Sequence, residues 1–528
     1  MPYKRSGEPV PVFMLTVPLK CEQWQRDKLD KVFRCALEVE HCLTSEKLKA
    51  LKNVERTREW RSIQKQLRKQ YTLPKKERDS TLMKLLFERR DTLLSCAGIS
   101  ASAFEKSVKK YQNHYKRNVN SNVAQKIAAR VWQRFESYLY GNGKSICFTP
   151  WQEFLSIAGK NNATGIRYVA SENRLVVGKI LRIPLKWNKI YEDGNDRYCY
   201  EAQAMQNQIR FCGIVRRWYP DGWRYFAQLC LAGKPPVKVD RTTGECLHSL
   251  GKGDVGIDIG PQTVAVVGER DATLRVLAEE VESIDKEIRR LARAMDRSRR
   301  ATNPAMFRKN GTVVPVSALP QECLDSRGRR KWHRSKRYQR LDATRRALFR
   351  KQAELRKLAH KRLINQLLAF GDTFYIEKMN WKALSKRCKK DKVNEKGKHL
   401  SKRRFGKSIA NKAPATFQTL LKTKVEALSG TYQEIDTVKA RASQYEHINH
   451  TYKKKKLSQR WAHLPNGDKI QRDLYSAFLI QNVTPTLDSF DQKKLDDRYN
   501  NFLCLHDLEV ERLKHKTTPS STGIRHSA

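Results

Sequence analysis

Three acidic residues stand out because each lies in an apolar stretch of the sequence. Asp258 lies within VGIDIG, Glu377 ends the stretch TFYIE, and Asp473 opens the stretch DLYSAFLI. A buried carboxylate without a partner costs several kcal/mol, so each needs a cation or a hydrogen-bond donor. Mg²⁺ prefers carboxylate oxygens, and two such ions about 4 Å apart can clamp a phosphate and activate a water for in-line attack. The three acids are therefore the candidate catalytic and metal-ligating residues.

Taken singly, each acid also has a simpler interpretation. Asp473 could N-cap the helix that it opens, and the other two could be caps or surface residues. Taken together, three carboxylates that converge without a metal would repel one another until one of them bound a proton. The combination of all three with the charge of the chain favours a metal-dependent nuclease.

That charge is strongly positive. The 528 residues include 106 Lys and Arg against 55 Asp and Glu, a net charge of +51, which indicates a polyanionic partner such as nucleic acid. No run of about 18 apolar residues exists, so we expect no membrane partner, and the N-terminus lacks the apolar core of a signal peptide, which indicates a cytoplasmic protein. The 12 cysteines form no CxxC pair, which argues against a disulfide framework or a zinc ribbon.

The pattern of apolar residues predicts several domains around these acids. We expect a first strand in residues 1–20, a helical region in 21–140, a β domain in 141–240, a linker in 241–252, a domain with the three acids in 253–484 and a partly disordered tail in 485–528. In the acidic domain, strands through Asp258, over Thr263–Val267 and over Leu274–Ala278 predict an antiparallel meander. A meander followed by acids on a strand, a strand and a helix is the arrangement of an RNase H-like fold.

Two groups of basic residues are candidates for nucleic-acid binding. In the β domain, strands over Ile209–Trp218 and Trp223–Leu231 flank the turn Tyr219–Gly222, and their basic and aromatic residues predict a stacking and phosphate-binding surface, although core packing explains the aromatics equally well. A basic insert lies at about 382–470 and contains no cysteine after Cys388. Its first part, Lys382–Lys412, is too charged to pack and predicts an arm that orders on a phosphate backbone. The candidates are Arg216, Arg217, Arg224, Lys386, Arg387, Lys402, Arg403 and Arg404.

Three motifs resemble those of a known family. VGIDIG around Asp258, FYIEKMNWKAL around Glu377 and IQRDLYSAFLI around Asp473 resemble the first, second and third RuvC motifs of the transposon-encoded TnpB proteins and the type V CRISPR effectors. The segment KWHRSKRY, Lys331–Tyr338, is similar to the region before the second motif of that family. The resemblance is specific over about residues 250–480 and concerns only the order of domains before that.

The resemblance implies a multidomain α/β protein, with a helical recognition lobe and a β-barrel wedge domain followed by an RNase H-like RuvC nuclease domain. It implies a prokaryotic RNA-guided DNA endonuclease, in which a guide RNA pairs with one strand of target double-stranded DNA beside a short motif that the protein reads. The RuvC site would cut DNA with Mg²⁺, expected as two ions, bound by Asp258, Glu377 and Asp473.

One departure from the family pattern concerns the insert. Members usually carry a zinc ribbon of two CxxC pairs between the second and third motifs, whereas Tyr445–Arg472 contains no cysteine. Three histidines there, His447, His450 and His463, lack the thiolates of such a site, and we expect no structural zinc. Two alternatives stay open: a nuclease-inactive RNA-guided DNA-binding repressor, and an RNA-independent RNase H-like resolvase or transposase.

Overall fold

The chain divides into two compact units, Met1–Pro236 and Val237–Ala528. The computed structural model describes all residues except 1–10, 75–76, 142, 144, 189–198, 241, 327, 387–404, 455, 457–458, 516–521 and 525–528. None of the helices in the described residues combines the length and the apolar character of a membrane span. The finer domain boundaries expected from the sequence stay predictions.

The first unit has a mainly helical part, as the sequence predicts for residues 21–140. Its helices are α1 Gln23–Arg56, α2 Arg58–Thr72, α3 Ser80–Cys96, α4 Ala101–His114, α5 Ser121–Leu139 and α6 Tyr200–Met205. The apolar residues of α1 that recur at helical spacing, among them Leu29, Phe33 and Leu37, are buried. Polar residues such as Asn120, which accepts a hydrogen bond from the N–H of Val123, begin the helices in the usual way.

The strands of the first unit form two sheets. They are β1 Val12–Pro18, β2 Ser156–Ala158, β3 Ile166–Val169, β4 Arg174–Val177, β5 Leu181–Pro184, β6 Ile209–Tyr219 and β7 Gly222–Ala232. Their orders are β1-β7-β6-β2 and β3-β4-β5. The predicted hairpin is confirmed, and the first strand, β1, pairs with β7. The described residues form no closed barrel, and β4 and β5 are separated by a turn in which Gly178 has φ 63°.

The second unit contains the three acids. Its strands are β8 Asp254–Ile259, β9 Thr263–Val267, β10 Ala272–Val276, β11 Thr373–Glu377, β12 Thr431–Ile435, β13 Tyr445–Glu446, β14 Thr451–Tyr452, β15 Trp461–His463 and β16 Lys469–Gln471. Its helices are α7 Val281–Thr302, α8 Lys336–Leu367, α9 Trp381–Leu384, α10 Gly406–Lys412, α11 Pro414–Ala427, α12 Thr437–Ala440, α13 Arg472–Gln481 and α14 Gln492–Lys514.

Strands β8 to β12 build one mixed sheet in the order β10-β9-β8-β11-β12. The first three strands form the predicted antiparallel meander, and β11 runs parallel to both β8 and β12. Alternate residues of each strand face opposite sides of the sheet. Ile257 and Ile376 contribute to a core that contains residues of α8 and α11. The opposite face packs against a second core, which contains Phe478 of α13 and Phe502 of α14.

Helix α14 is the main element that the sequence pattern does not predict. The pattern indicates only a tail over 485–528, whereas residues 492–514 form a helix of 23 residues. Leu495, Phe502, Val510 and Leu513 of this helix are buried in the core beneath the sheet. The chain beyond the third acid is therefore part of the fold that supports it.

Candidate active site

Strands β8 and β11 bring two of the predicted acids to neighbouring positions. The strands are parallel, and Ile257 is paired with Ile376, so Asp258 and Glu377 are the next residues on each strand. Residues at matching positions of parallel strands project from the same face of the sheet, because side chains alternate with a period of two. Asp258 and Glu377 therefore project side by side from the face that helix α13 covers.

Helix α13 packs directly on strand β8 at a glycine. A Cβ atom at Gly256 would overlap the carbonyl oxygen of Ala477 and would lie 2.8 Å from the Cα atom of Gln481. The side-chain N–H of Gln481 donates to the carbonyl oxygen of Asp254 at 2.9 Å. The glycine thus lets the helix backbone approach the strand more closely than any other residue type would allow.

These two contacts also fix the position of the third acid along the helix. Four helical residues rise about 6 Å, and two strand residues span about 6.6 Å. Two residues along the strand therefore span about the same length as four residues along the helix. The move from Asp254 to Gly256 on the strand corresponds to the move from Gln481 to Ala477 on the helix. The next step leads to Asp258 on the strand and to Asp473 on the helix, so the first turn of α13 brings its carboxylate to the other two acids.

The three carboxylates influence one another electrostatically. Burial raises the pKa of Asp258 well above its ordinary value of 3.8, Glu377 and Asp473 raise it further, and Arg472 opposes the rise. Burial raises the pKa of Glu377 from 4.5 to about 7. Among the described residues, no hydrogen bond or ion pair compensates the carboxylates of Asp258 and Glu377. The positive charge of Arg472 acts on Asp258 but does not offset the rise of its pKa.

Asp473 differs from the other two acids because it has a basic neighbour. Its carboxylate lies 3.7 Å from the Nε atom of Arg472 and is 16% exposed. Its own N–H donates to the side-chain oxygen of Gln471 at 2.8 Å. Gln471, and not Asp473, is the N-cap of helix α13. The capping role that could explain Asp473 in structural terms is thus performed by another residue.

The acids do not form a closed coordination shell as they stand. Within the described ranges, no three Asp, Glu, His or Cys side chains lie close enough together to hold a metal ion. Glu377 and Asp473 are nevertheless close enough to Asp258 to raise its pKa by repulsion, because a nearby like charge disfavours the ionised form.

Comparisons with known proteins give similar solved structures, among them two structures of CRISPR-Cas proteins. No protein family model matches the sequence, and no curated protein matches it. A cryo-EM structure of a CRISPR-Cas12f ternary complex shares 9% sequence identity over 90% of this chain and 99% of that chain, with a TM-score of 0.28. A structure of the mini-RNA-guided endonuclease CRISPR-Cas_phi3 shares 10% over 90% and 92%, with a TM-score of 0.27. Both TM-scores are too low to establish a shared fold, and the site is interpreted from its own geometry.

The structure corrects the prediction that Arg216 binds nucleic acid. Its side chain is fully buried, its guanidinium lies 3.6 Å from the ring centroid of Trp151, and its Nε–H donates to the carbonyl oxygen of Phe154 at 3.0 Å. Asp30 pairs with it at 3.6 Å. The reason is the register of the hairpin, which pairs Arg216 with the buried Tyr225. Arg216 therefore belongs to the core of the first unit.

Two other arginines of the hairpin, Arg217 and Arg224, are accessible. Arg224 is exposed, pairs with Asp221 at 3.0 Å and lies 4.3 Å from the ring centroid of Tyr219. Arg217 is half-buried and lies 4.4 Å from the ring centroid of Phe226. Both guanidinium groups stack on aromatic rings of the protein. Their role in nucleic-acid binding stays a prediction.

The predicted basic insert is described only in part. The expectation that Lys382–Lys412 is too charged to pack is wrong at its end, where α10 forms and the buried Lys412 pairs with Glu282 at 3.0 Å. Lys386 is exposed just after α9. Arg387, Lys402, Arg403 and Arg404 lie outside the described residues. Nucleic-acid binding by all five stays a prediction.

The cysteine-free part of the insert folds into two small hairpins, β13–β14 and β15–β16. His447 is buried, and its Nδ1 atom lies 2.7 Å from the hydroxyl oxygen of Tyr475 on α13. The ring of His447 also contacts the ring of Phe478 on α13, with centroids 6.2 Å apart. Hydrogen bonds and aromatic packing therefore connect the first hairpin to the helix that carries Asp473.

Three residues that position the acids are absent from the sequence analysis: Gly256, Gln471 and Gln481. Gly256 has a signal in the sequence, because a glycine inside an apolar strand indicates that another backbone approaches closely. Gln471 directly precedes the helix, but glutamine is not a preferred N-cap residue. Gln481 has no signal, because its partner Asp254 is 227 residues away in the chain.

Proposed function

We propose that this protein is an RNA-guided DNA endonuclease whose second unit hydrolyses phosphodiester bonds with divalent cations bound by Asp258, Glu377 and Asp473. One observation carries the hydrolytic part of the proposal. Two neighbouring strands and one helix direct three carboxylates to a common place, and burial raises the pKa of two of them without a compensating partner in the described residues.

The residues present fit a divalent cation such as Mg²⁺. Hard cations of this kind bind carboxylate oxygens and keep several waters of their own, so they do not require a cage made only of protein atoms. A cation between the acids would balance the repulsion that raises the pKa of Asp258, and its charge would favour the ionised form of Glu377. We therefore expect the carboxylates to approach one another when the cation binds, and we expect two ions.

Each acid contributes in a different way to such a site. When bound, divalent cations stabilise the charge that develops on a phosphate and lower the pKa of water, which supplies the nucleophile for hydrolysis. Asp258 and Glu377 hold their carboxylates on the rigid sheet. Asp473 adds its carboxylate from the first turn of helix α13, where it lies 3.7 Å from the Nε atom of Arg472. Ligands on rigid elements preserve the geometry that in-line attack requires.

The nucleic-acid part of the proposal is supported by charge and by motif. A net charge of +51 suits a protein that contacts many phosphates at once. Guidance by RNA and cleavage of double-stranded DNA are proposed from the resemblance of the three acidic motifs to RuvC motifs of TnpB proteins and type V effectors. The meander followed by two parallel strands supports an RNase H-like fold for this unit. The roles of the first unit as recognition lobe and wedge domain are part of the same proposal.

The proposal is tested by purifying the protein from cells that express its native locus. The co-purified RNA is sequenced, and the complex is incubated with matched double-stranded DNA and Mg²⁺. We expect one defined RNA, cleavage by the wild-type complex and intact DNA with the Asp258→Ala complex. Intact DNA in both reactions contradicts the nuclease proposal and favours an RNA-guided repressor. Cleavage by protein without RNA contradicts guidance and favours a resolvase or transposase.

A further inference from the structure

A buried histidine on helix α14 contacts the residue that caps helix α13. His506 is 1% exposed, and its ring contacts the rings of Phe502 and Trp461, with centroids 5.9 and 6.2 Å away. Its Nε2 atom accepts a hydrogen bond from the backbone N–H of Gln471 at 2.9 Å. Its Nδ1 atom lies 2.8 Å from a carboxylate oxygen of Asp507.

These two hydrogen bonds define the protonation of the ring. A backbone N–H can only donate, so Nε2 of His506 must accept and cannot carry a proton. The single proton of the neutral ring is then on Nδ1, where it donates to the carboxylate of Asp507. Burial lowers the pKa of His506 although Asp507 acts in the opposite direction, in agreement with the neutral ring that the hydrogen bonds require. Asp507 thus selects the tautomer that can hold Gln471.

Gln471 transmits this restraint to the third acid. Its fully buried side chain accepts hydrogen bonds from the N–H groups of Asp473 at 2.8 Å and of Leu474 at 2.9 Å. Its side-chain N–H donates to the carbonyl oxygen of Thr522 at 3.1 Å. The first turn of α13 is therefore held by His506 on one side and by Thr522 on the other.

We infer that His506 is a positioning residue for Asp473. It acts through the backbone of Gln471 and fixes the first turn of helix α13, so that the carboxylate of Asp473 faces Asp258 and Glu377. The inference rests on the proposed function for the role of Asp473 as a cation ligand, whereas the restraint on the helix is independent of it. Partners outside the ligand set orient ligands in this way, and their loss commonly weakens metal binding about 10- to 100-fold.

Four variants separate this role from general stability. His506→Leu removes the acceptor for the N–H of Gln471, whereas His506→Gln offers a side-chain oxygen in its place. Asp507→Leu removes the acceptor for Nδ1–H at a side chain that is 78% exposed, so it tests the same restraint without opening the core. Leu495→Ala is the matched control, because it opens the same core about 16 Å further along helix α14.

The first measurement is amide hydrogen exchange in peptides that cover residues 471–474. We expect exchange at least about tenfold faster in His506→Leu, a smaller increase in Asp507→Leu and wild-type protection in His506→Gln, as expected when a hydrogen-bonded turn opens locally. Wild-type protection in both His506→Leu and Asp507→Leu overturns the inference. If His506→Leu does not fold, the exchange rates of Asp507→Leu and His506→Gln are compared instead. Faster exchange in Asp507→Leu than in His506→Gln supports the inference, and equal exchange overturns it.

The second measurement is the affinity for Mn²⁺, titrated into the folded proteins. We expect affinity about 10- to 100-fold weaker in His506→Leu and close to the wild-type value in His506→Gln and Leu495→Ala. An equal loss in Leu495→Ala overturns the inference, because any weakening of the core would then suffice. If the wild-type protein binds no Mn²⁺, the proposed function fails, and the exchange measurement still decides whether His506 restrains the helix.

Discussion

Gly256 lies so close beneath the carbonyl oxygen of Ala477 that no side chain fits between strand β8 and helix α13. This contact sets the distance and the register between the two elements. Because the helix then places Asp473 at the level of Asp258, the geometry of the candidate site depends on a residue that has no functional group.

The substitution Gly256→Ala tests this dependence. The added methyl group overlaps backbone atoms that cannot rotate away, so we expect the free energy of unfolding to fall by about 1–3 kcal/mol, with a loss of DNA cleavage in the fraction that stays folded. Gly260→Ala is the control, because its Cβ would lie 3.4 Å from the nearest atom, the carbonyl oxygen of Thr263. Urea unfolding and cleavage assays measure both effects. Wild-type stability and cleavage in Gly256→Ala would show that the helix has room to move.

The raised pKa of Glu377 predicts how stability depends on pH. Its pKa is about 7 in the folded protein against an ordinary 4.5, so between these values the folded state binds more protons than the unfolded state. The free energy of unfolding measured in EDTA should therefore fall as pH rises from about 4.5 through about 7. Glu377→Gln should remove part of this fall and be more stable than wild type at pH 8, by up to about 3 kcal/mol.

Urea unfolding in EDTA at pH 5 and pH 8 measures this difference. The exposed Glu434 of strand β12 provides the control Glu434→Gln, which should follow the wild-type curve. A wild-type protein that becomes more stable over the same range would show that Glu377 is ionised and paired in the folded state.

Two arginines of one hairpin should respond differently to the same substitution. Arg216→Leu removes the cation beside Asp30, which keeps its hydrogen bond from Tyr225. It also leaves the carbonyl oxygens of Phe154 and Trp151 without their donor, so it should destabilise the first unit by about 1–3 kcal/mol. Arg224→Leu, at an exposed ion pair, should change stability by less than about 0.5 kcal/mol. Thermal unfolding compares the two. Reduced RNA binding by Arg216→Leu at unchanged stability would restore the original prediction for this residue.

The cysteine-free hairpins should be stable without zinc. We expect the purified protein to contain no stoichiometric zinc by elemental analysis and its unfolding curve to be unchanged by a strong zinc chelator. One zinc per chain, with unfolding on its removal, would refute the expectation.

The first hairpin also depends on a buried hydrogen bond to helix α13. Tyr475→Phe should destabilise the second unit by about 1–3 kcal/mol, because the N–H of His447 loses a buried acceptor.

The local pattern of apolar residues predicted well the two strands and the helix that contain the three acids. Strand β11 was expected at Thr373–Glu377, where the structure has it, and the helix expected to open at Asp473 begins at Arg472. Both stretches are strongly apolar and flanked by turn or polar residues, so their periodicity is unambiguous. The third strand of the meander begins two residues earlier than expected, at Ala272.

Contacts between distant parts of the chain could not be predicted in the same way. The burial of Arg216 depends on Trp151, which is 65 residues away in the chain, and no local pattern shows that they meet. Helix α14 has many charged residues. Its sequence alone does not show that its apolar residues pack against the sheet and α13, because those elements are distant in the chain. The link from His506 through Gln471 to Asp473 is of the same kind, since it joins two helices through one backbone N–H.

A Mn²⁺ titration at pH 8 tests the central claim most directly. Asp254 provides the matched control, because it lies on the same strand and face as Asp258 but pairs with Lys494 and Arg498 at 3.5 and 3.4 Å. A cation site formed by the three carboxylates predicts that Asp258→Asn, Glu377→Gln and Asp473→Asn each weaken the affinity for Mn²⁺ at least about tenfold. The Asp254→Asn variant should bind Mn²⁺ like the wild-type protein. Wild-type affinity in all three variants, or no binding by the wild-type protein, would contradict the claim that these acids form one cation site.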